Sequence, residues 1–243
     1  MSDDHADAAL LADEAGRLLI ELRRRIGAED AAAVKDEGDR RSHELLVARL
    51  GQLHPGDAVL SEEAADDPAR VGAARVWVID PLDGTREFGE PPRTDWAVHV
   101  ALVCAEAPVA GAVALPARGL VLSTGAPPAV PPATGRPRLV VSRTRPPAST
   151  AVLAEALGAE LVPMGSAGAK AMAIVLGEAD VYAHSGGQHE WDSAAPVAVA
   201  QASGLHCSRL DGSPLRYNQP DPWLPDLLIC RPELAERVIA ALR

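Results

Sequence analysis

An apolar stretch that runs directly into two acids sets the frame for this chain: Trp77-Val-Ile-Asp80-Pro81-Leu82-Asp83-Gly84-Thr85-Arg86-Glu87-Phe88. Arg75 to Asp80 reads as a buried strand. Pro81 fixes φ and has no N–H for a ladder, so the strand is predicted to stop there. Asp80 and Asp83 then project from a turn at a strand end. Gly84 lets backbone approach a ligand. Thr85 offers a hydroxyl and an N–H, and a helix starting here would have free N–H groups for an anion. An Asx-type turn that merely caps a helix suits D-x-x-D-G-T equally well.

Two further segments carry acids at element ends. Val59-Leu60-Ser61 leads into Glu62-Glu63, which alone reads as a solvated loop. Glu190-Trp191-Asp192-Ser193-Ala194-Ala195 makes Asp192 the natural N-cap of a helix, with Pro196 near its start. If the three segments converge, four carboxylates share one pocket. At about 4 Å and an effective dielectric near 20, each like-charge pair costs on the order of 4 kcal/mol. Such a cluster must take up protons or bind cations. All-oxygen ligands favour hard ions, Mg²⁺ first, with Mn²⁺ and Ca²⁺ behind. Four carboxylates against two or three divalent ions leave a charge that suits a phosphate dianion, which points to metal-assisted phosphoryl chemistry.

The remaining pattern supplies a scaffold. Leu10, Leu11, Leu18, Leu19, Leu22 and Ile26 share one face of a predicted helix over 4–26. A second helix is predicted from near Asp39 to just before Pro55. Strands follow at 96–103 and 109–115, with a hairpin through 116–119. Residues 125–137, GAPPAVPPATGRP, forbid regular structure and mark a boundary. It separates an N-terminal α+β lobe (1–128), which carries most candidate metal ligands, from a C-terminal α/β lobe (129–243) with the substrate contacts and Asp192. In the second lobe strands are predicted at 139–142, 160–163 and 179–183. Helices are predicted at 149–157, 166–176, 193–203 and 232–242. The order suggests a layered α/β fold.

Charge and composition exclude other classes. A net charge of −11 argues against general binding to nucleic acid polymers or to anionic membranes. Cys104, Cys207 and Cys230 form no C-x-x-C pair, so neither a disulfide framework nor a zinc site is expected. The acidic opening is unlike a signal peptide and no apolar run reaches membrane-spanning length, so a cytoplasmic protein is expected. The chain has 21 Arg and two Lys, Lys35 and Lys170.

Glu62-Glu63, Asp80-Pro-Leu-Asp83-Gly-Thr85 and Trp191-Asp192-Ser-Ala-Ala195, in this order and spacing, resemble the motifs of the inositol monophosphatase superfamily. The Arg86-Glu87-Phe88 ending and Met164-Gly165-Ser166-Ala-Gly-Ala-Lys170 are similar to the CysQ-type 3′(2′),5′-bisphosphate nucleotidase branch, in an actinobacterial-like form. The resemblance implies a layered α-β-α-β-α sandwich of the inositol monophosphatase / fructose bisphosphatase type with two lobes. It implies two to three Mg²⁺ ions, with Mn²⁺ as a substitute and Li⁺ as an inhibitor. Glu62, Asp80, Asp83, Asp192 and the Leu82 carbonyl would be the metal ligands. Thr85, oriented by Asp39 from Gly38-Asp39-Arg40, would help activate the attacking water beside Glu62. Gly84, Thr85, Ser142, Arg145, Ser166, Lys170, His184 and Asp192 would meet substrate. The implied reaction is removal of the 3′-phosphate of 3′-phosphoadenosine 5′-phosphate, with phosphoadenylyl sulfate as a second substrate. Ser185 stands where inositol monophosphatases place a sugar-binding acid. Inositol 1-phosphate and fructose 1,6-bisphosphate remain alternatives, as does a non-catalytic anion- or metal-sensing module. Relatives of this kind are often dimers, which leaves a homodimer open.

Overall fold

A computed structural model describes residues 3–26 and 31–243. Helix α1 (Asp4–Ile26) buries Leu11, Leu19 and Leu22 and ends in Arg23, Arg24 and Arg25, the charge order that the helix dipole favours. Helix α2 runs over Ala31–Leu53, well upstream of the start expected near Asp39. Its buried stripe is Val34, Gly38, Ser42, Leu46 and Leu50, spaced four apart. Two of these five are not apolar, so a hydrophobic period does not register the first half of the helix. Gly38 is required there: a Cβ would stand 2.8 Å from the Phe88 ring.

The first sheet takes its strands in chain order: β1 (Ala58–Ser61), β2 (Val76–Asp83), β3 (Ala97–Cys104), β4 (Ala107–Leu115) and β5 (Leu120–Ser123). Only β1–β2 is parallel. The short helix α3 (Thr85–Phe88) follows β2. After the irregular 125–137 segment come β6 (Arg138–Ser142), α4 (Ser149–Leu157), β7 (Glu160–Met164), α5 (Ala167–Val175) and β8 (Val181–His184). Then come β9 (Gln188–His189), α6 (Glu190–Ala202), β10 (His206–Ser208), β11 (Trp223–Leu224), β12 (Leu227–Cys230) and α7 (Ala235–Ala241). The second sheet has the order β10-β12-β8-β6-β7, and β9 pairs with β11 alone.

Burial on alternate sides of β2 fixes the layers. Trp77 and Ile79 pack with Leu11, Leu19 and Leu46 of α1 and α2. Val76 and Val78 face the other way, onto a core that includes Met172 and Ile174 of α5, Val197 of α6, and Val140, Tyr182 and Ile229 of the second sheet. On the far face of that sheet, Leu139, Val181 and Leu228 pack with Leu153 and Leu157 of α4 and Val238 of α7. The result is the α-β-α-β-α sandwich. Its middle layer, α5 and α6, shares one core with both sheets.

Three expectations are corrected. Pro81 does not end its strand, since β2 continues to Asp83. The closing helix is a 3₁₀ turn over Pro232–Leu234 followed by α7, with Pro232 at the first position, where a missing N–H costs nothing. No element was expected between 203 and 232, yet β10, β11 and β12 lie there. Leu227-Leu-Ile-Cys230 is a short, fully buried apolar run, the pattern of a strand covered on both faces.

Candidate active site

The strand carrying the D-P-L-D motif is bent rather than ended. Asp80 pairs with His99 and Asp83 with Ala97, so three steps along β2 match two along β3. This is a β-bulge at Pro81-Leu82. The Leu82 N–H donates to Asp80 Oδ1 at 3.1 Å, and the Pro81 carbonyl accepts from the buried Ser42 hydroxyl at 2.7 Å. In a regular strand, residues three apart face opposite sides. The extra residue turns Asp80 and Asp83 to the same side.

Asp192 arrives from α6. It is not the N-cap: His189 holds that position and Asp192 is the third helical residue. Its Oδ2 accepts from the His189 N–H at 2.6 Å, and Pro196 consequently lies inside the helix. One oxygen each from Asp80, Asp83 and Asp192 lies within 4.8 Å of the others. Glu62, immediately after β1, completes the group. The residue is exposed as a whole, but its carboxyl interacts with Asp80 and feels Asp192 and Asp83.

Electrostatics follow from this crowding. Burial, then Asp192, pushes Glu62 up to about 7. Burial, then Glu62, Asp83 and Asp192, raises Asp80 well above the carboxylate range. Asp192 is raised by burial and by Asp83. Asp83 goes the other way. Burial opposes its charge, but His99 and the Ser166 hydrogen bond outweigh it and hold Asp83 at about 2. Three acids that resist ionisation beside one that does not form an all-oxygen donor set short of positive charge, which suits a hard divalent cation.

His99, to which the sequence analysis gives no role, sits beneath this cluster. It is fully buried on β3. Its Nε2 is 3.2 Å from Asp83 Oδ2, and its Nδ1 is 3.0 Å from the Trp191 carbonyl, adjacent to Asp192. The first turn of α5 closes over the same carboxylate. The Ser166 hydroxyl and the N–H groups of Ala167 (3.1 Å) and Gly168 (2.6 Å) donate to Asp83. Only glycine allows this approach at 168, because a Cβ would lie 2.1 Å from His99 Nε2. The signal in the sequence was a single histidine in an otherwise apolar strand.

The Thr85 hydroxyl lies 3.1 Å from the Leu82 carbonyl and 3.4 Å from Asp39 Oδ1. Burial, then Glu63, pushes Asp39 up to about 7, against the Thr85 hydrogen bond. Gly84 precedes Thr85 with φ +85°.

The other anticipated residues divide between two adjoining cavities. The larger, about 390 Å³, has Glu62, Asp83, Asp192, Ser142, Ser166, Lys170 and His184 in its wall. The smaller, about 250 Å³, is bounded by Gly84, Thr85, Ser142, Arg145, Ser166 and Lys170, with Arg86 and Arg143 in addition. Lys170 is buried rather than solvent-reaching. Its Nζ donates to the Ser166 carbonyl at 2.6 Å and lies 5.3 Å from the centre of the Tyr182 ring. Arg143 is held by Glu87 (2.7 Å) and Glu90 (2.9 Å), while Arg145 is exposed. His184 Nε2 lies 2.9 Å from the Gly187 carbonyl.

A profile of the inositol monophosphatase family matches residues 4–130 and 131–243. The 3′-phosphoadenosine 5′-phosphate phosphatase of Mycobacterium tuberculosis (strain CDC 1551 / Oshkosh) is 52% identical over 240 residues, 94% of this chain and 89% of that protein. The 3′(2′),5′-bisphosphate nucleotidase CysQ of Escherichia coli (strain K12) is 31% identical over 200 residues, covering 76% and 80%. Among solved structures, CysQ from Bacteroides thetaiotaomicron superposes with a TM-score of 0.76 at 27% identity, over 93% of this chain and 96% of that one. Inositol monophosphatase-II from Staphylococcus aureus MSSA476 shares the fold with a TM-score of 0.78 at 19% identity, covering 96% and 93%. With both halves of the sandwich matched and the acids of three separate elements gathered at one cleft, the chain belongs to the inositol monophosphatase family.

Proposed function

We propose that this protein is a Mg²⁺-dependent phosphomonoesterase that removes the 3′-phosphate of 3′-phosphoadenosine 5′-phosphate, giving AMP and phosphate, and that also accepts phosphoadenylyl sulfate. The observation that carries the phosphatase reading is the gathering of Asp80, Asp83 and Asp192 within 4.8 Å beside a cavity walled by Ser166 and Lys170. The nucleotide preference rests on the relatives named for that activity and on Ser185 in place of a sugar-binding acid.

Glu62, Asp80, Asp83, Asp192 and the Leu82 carbonyl would hold two to three divalent ions, which would make water a better nucleophile and supply a positive field for the phosphate. The chain's own residues do the rest. The Thr85 hydroxyl has one proton and two acceptors in reach, Leu82 O and Asp39 Oδ1. When it donates to Asp39, a lone pair of its oxygen accepts from the attacking water and aims it. Asp39, with a pKa of about 7, accepts a proton near neutral pH. The N–H groups of Gly84 and Thr85 meet phosphate oxygens. Ser142, Ser166, Lys170, His184 and Arg145 contact the nucleotide, and Arg145 suits its second phosphate. Most of the acceleration comes from positioning and charge. The same reading makes the protein cytoplasmic, open to Mn²⁺ substitution, inhibited by Li⁺, and a candidate homodimer.

A phosphate-release panel tests this. Adenosine 3′,5′-bisphosphate should exceed inositol 1-phosphate and fructose 1,6-bisphosphate in kcat/KM by at least about tenfold, the effect of one well-placed polar or stacking contact. A faster rate with either sugar phosphate would move the specificity to that class, and no Mg²⁺-dependent release from any would favour a binding module. Lys170→Ala should depress turnover of the bisphosphate nucleotide more than that of a small sugar phosphate. Equal losses would remove Lys170 from the substrate pocket.

A further inference from the structure

Trp223 is half exposed (50%) and is the sole aromatic among the large exposed apolar side chains of the described residues. Its place is not an arbitrary piece of surface. Strand β11 pairs with β9, Trp223 opposite His189, and β9 leads directly into the helix that carries Asp192. The indole therefore stands in the wall of the 390 Å³ cavity that also holds Glu62, Asp83 and Asp192.

The ring is held close to Gly187. Gly187 has φ +77°, and a Cβ there would come within 2.7 Å of the indole Nε1 and within 3.0 Å of two ring carbons. The ring rests against bare backbone, as only glycine permits. On the same wall, His189 and Trp191 stack with centroids 4.5 Å apart and planes 8° from parallel. Acidic and aromatic side chains thus line one cavity, with room for a molecule of nucleotide size.

We infer that Trp223 is a specificity-determining residue: its half-exposed indole stacks the purine base of the substrate, while the phosphate ester lies at the acids. The inference deepens the nucleotide reading above and rests on it. A flat heterocycle matches a flat indole whatever its hydrogen-bonding edge, so the contact reports the presence of a base more than its identity.

Two measurements test the inference, both in Mg²⁺. First, kcat and KM are compared for adenosine 3′,5′-bisphosphate and for 1-O-methylribose 3,5-bisphosphate, which lacks the base. Trp223→Ala should raise KM for the nucleotide by roughly ten- to a hundredfold with kcat within about twofold. The base-free ester should change less than about twofold, and Trp223→Phe should retain most of the nucleotide affinity, because a π-face remains. Equal changes for both esters, or none for the nucleotide, overturn the inference. Second, calorimetric titration of AMP gives Kd without turnover, with Trp223→Ala weakening binding about tenfold or more and Trp223→Phe restoring it. AMP that binds the wild type and Trp223→Ala alike, or that fails to bind the wild type, also overturns it. If AMP binding depends on Trp223 but the wild type releases no phosphate from the bisphosphate, the platform stands and the proposed reaction falls.

Discussion

Asp192→Asn is expected to cut phosphate release on the order of a thousandfold or more, the scale of losing a preorganised charge in a closed site. The substitution is nearly isosteric, and the amide keeps one carbonyl oxygen for the His189 N–H that Asp192 now binds at 2.6 Å. The α6 N-terminus therefore stays intact, and the melting temperature should move by only a few degrees. Asp83→Asn should be as inactive but less stable. Its carboxylate accepts from Ser166, Ala167 and Gly168 at once and faces His99 Nε2 at 3.2 Å. An amide has one acceptor for these donors, and a buried donor left unpaired costs about 1–3 kcal/mol. Paired assays of phosphate release and thermal unfolding separate the two variants. More than a few per cent residual activity in Asp192→Asn would remove that residue from the metal site.

Without divalent cations, the protein should lose stability as pH rises from 5 to 8. Glu62 and Asp39 have folded-state pKa values raised to about 7. Unfolded Glu and Asp titrate near 4.3 and 3.9, about three units lower. Between those limits the native state binds more protons than the unfolded state, so stability falls through the window from about 4 to 7 and levels off above it. Asp83, held at about 2, has the opposite sign and acts only below about 4. If Mg²⁺ binds the ionised cluster as proposed, it should raise the melting temperature at pH 8 by about 5–10 °C at a hundredfold excess over its Kd. At pH 5, where protons already neutralise the acids whose pKa is raised, the increment should be much smaller. Unfolding scans in chelator and in Mg²⁺ at both pH values supply the readout, and a shift equal at pH 5 and pH 8 would contradict a proton–metal competition at these residues.

Much of the scaffold was legible because it is written in local periodicity. The α1 face, the apolar run of β3 and the irregular Pro/Gly-rich stretch at 125–137 each follow from residue type and spacing within a dozen residues. The start of α2 was not, since its buried face includes Gly38 and Ser42, whose fit depends on Phe88 and on the Pro81 carbonyl. Strands β9 to β11 are two or three residues long, too short for any period to declare itself. The continuous run of β12 did carry a signal, because full burial on both faces erases alternation and leaves apolar residues alone.

By itself the sequence determined the chemical type of the cleft: hard oxygen donors in a fixed order, spread over three segments that resemble one family, within a layered α/β chain. Only the tertiary structure decided how those donors meet. The bulge at Pro81-Leu82 turned two aspartates to one side, the capping geometry of α6 moved Asp192 into the first helical turn, and His99 was brought beneath both. The physical reason is range. Residue type and spacing fix what a segment offers, whereas side-chain direction at a bulge, and the charge that a buried acid carries, depend on neighbours up to about a hundred positions away that only packing brings within a few ångströms.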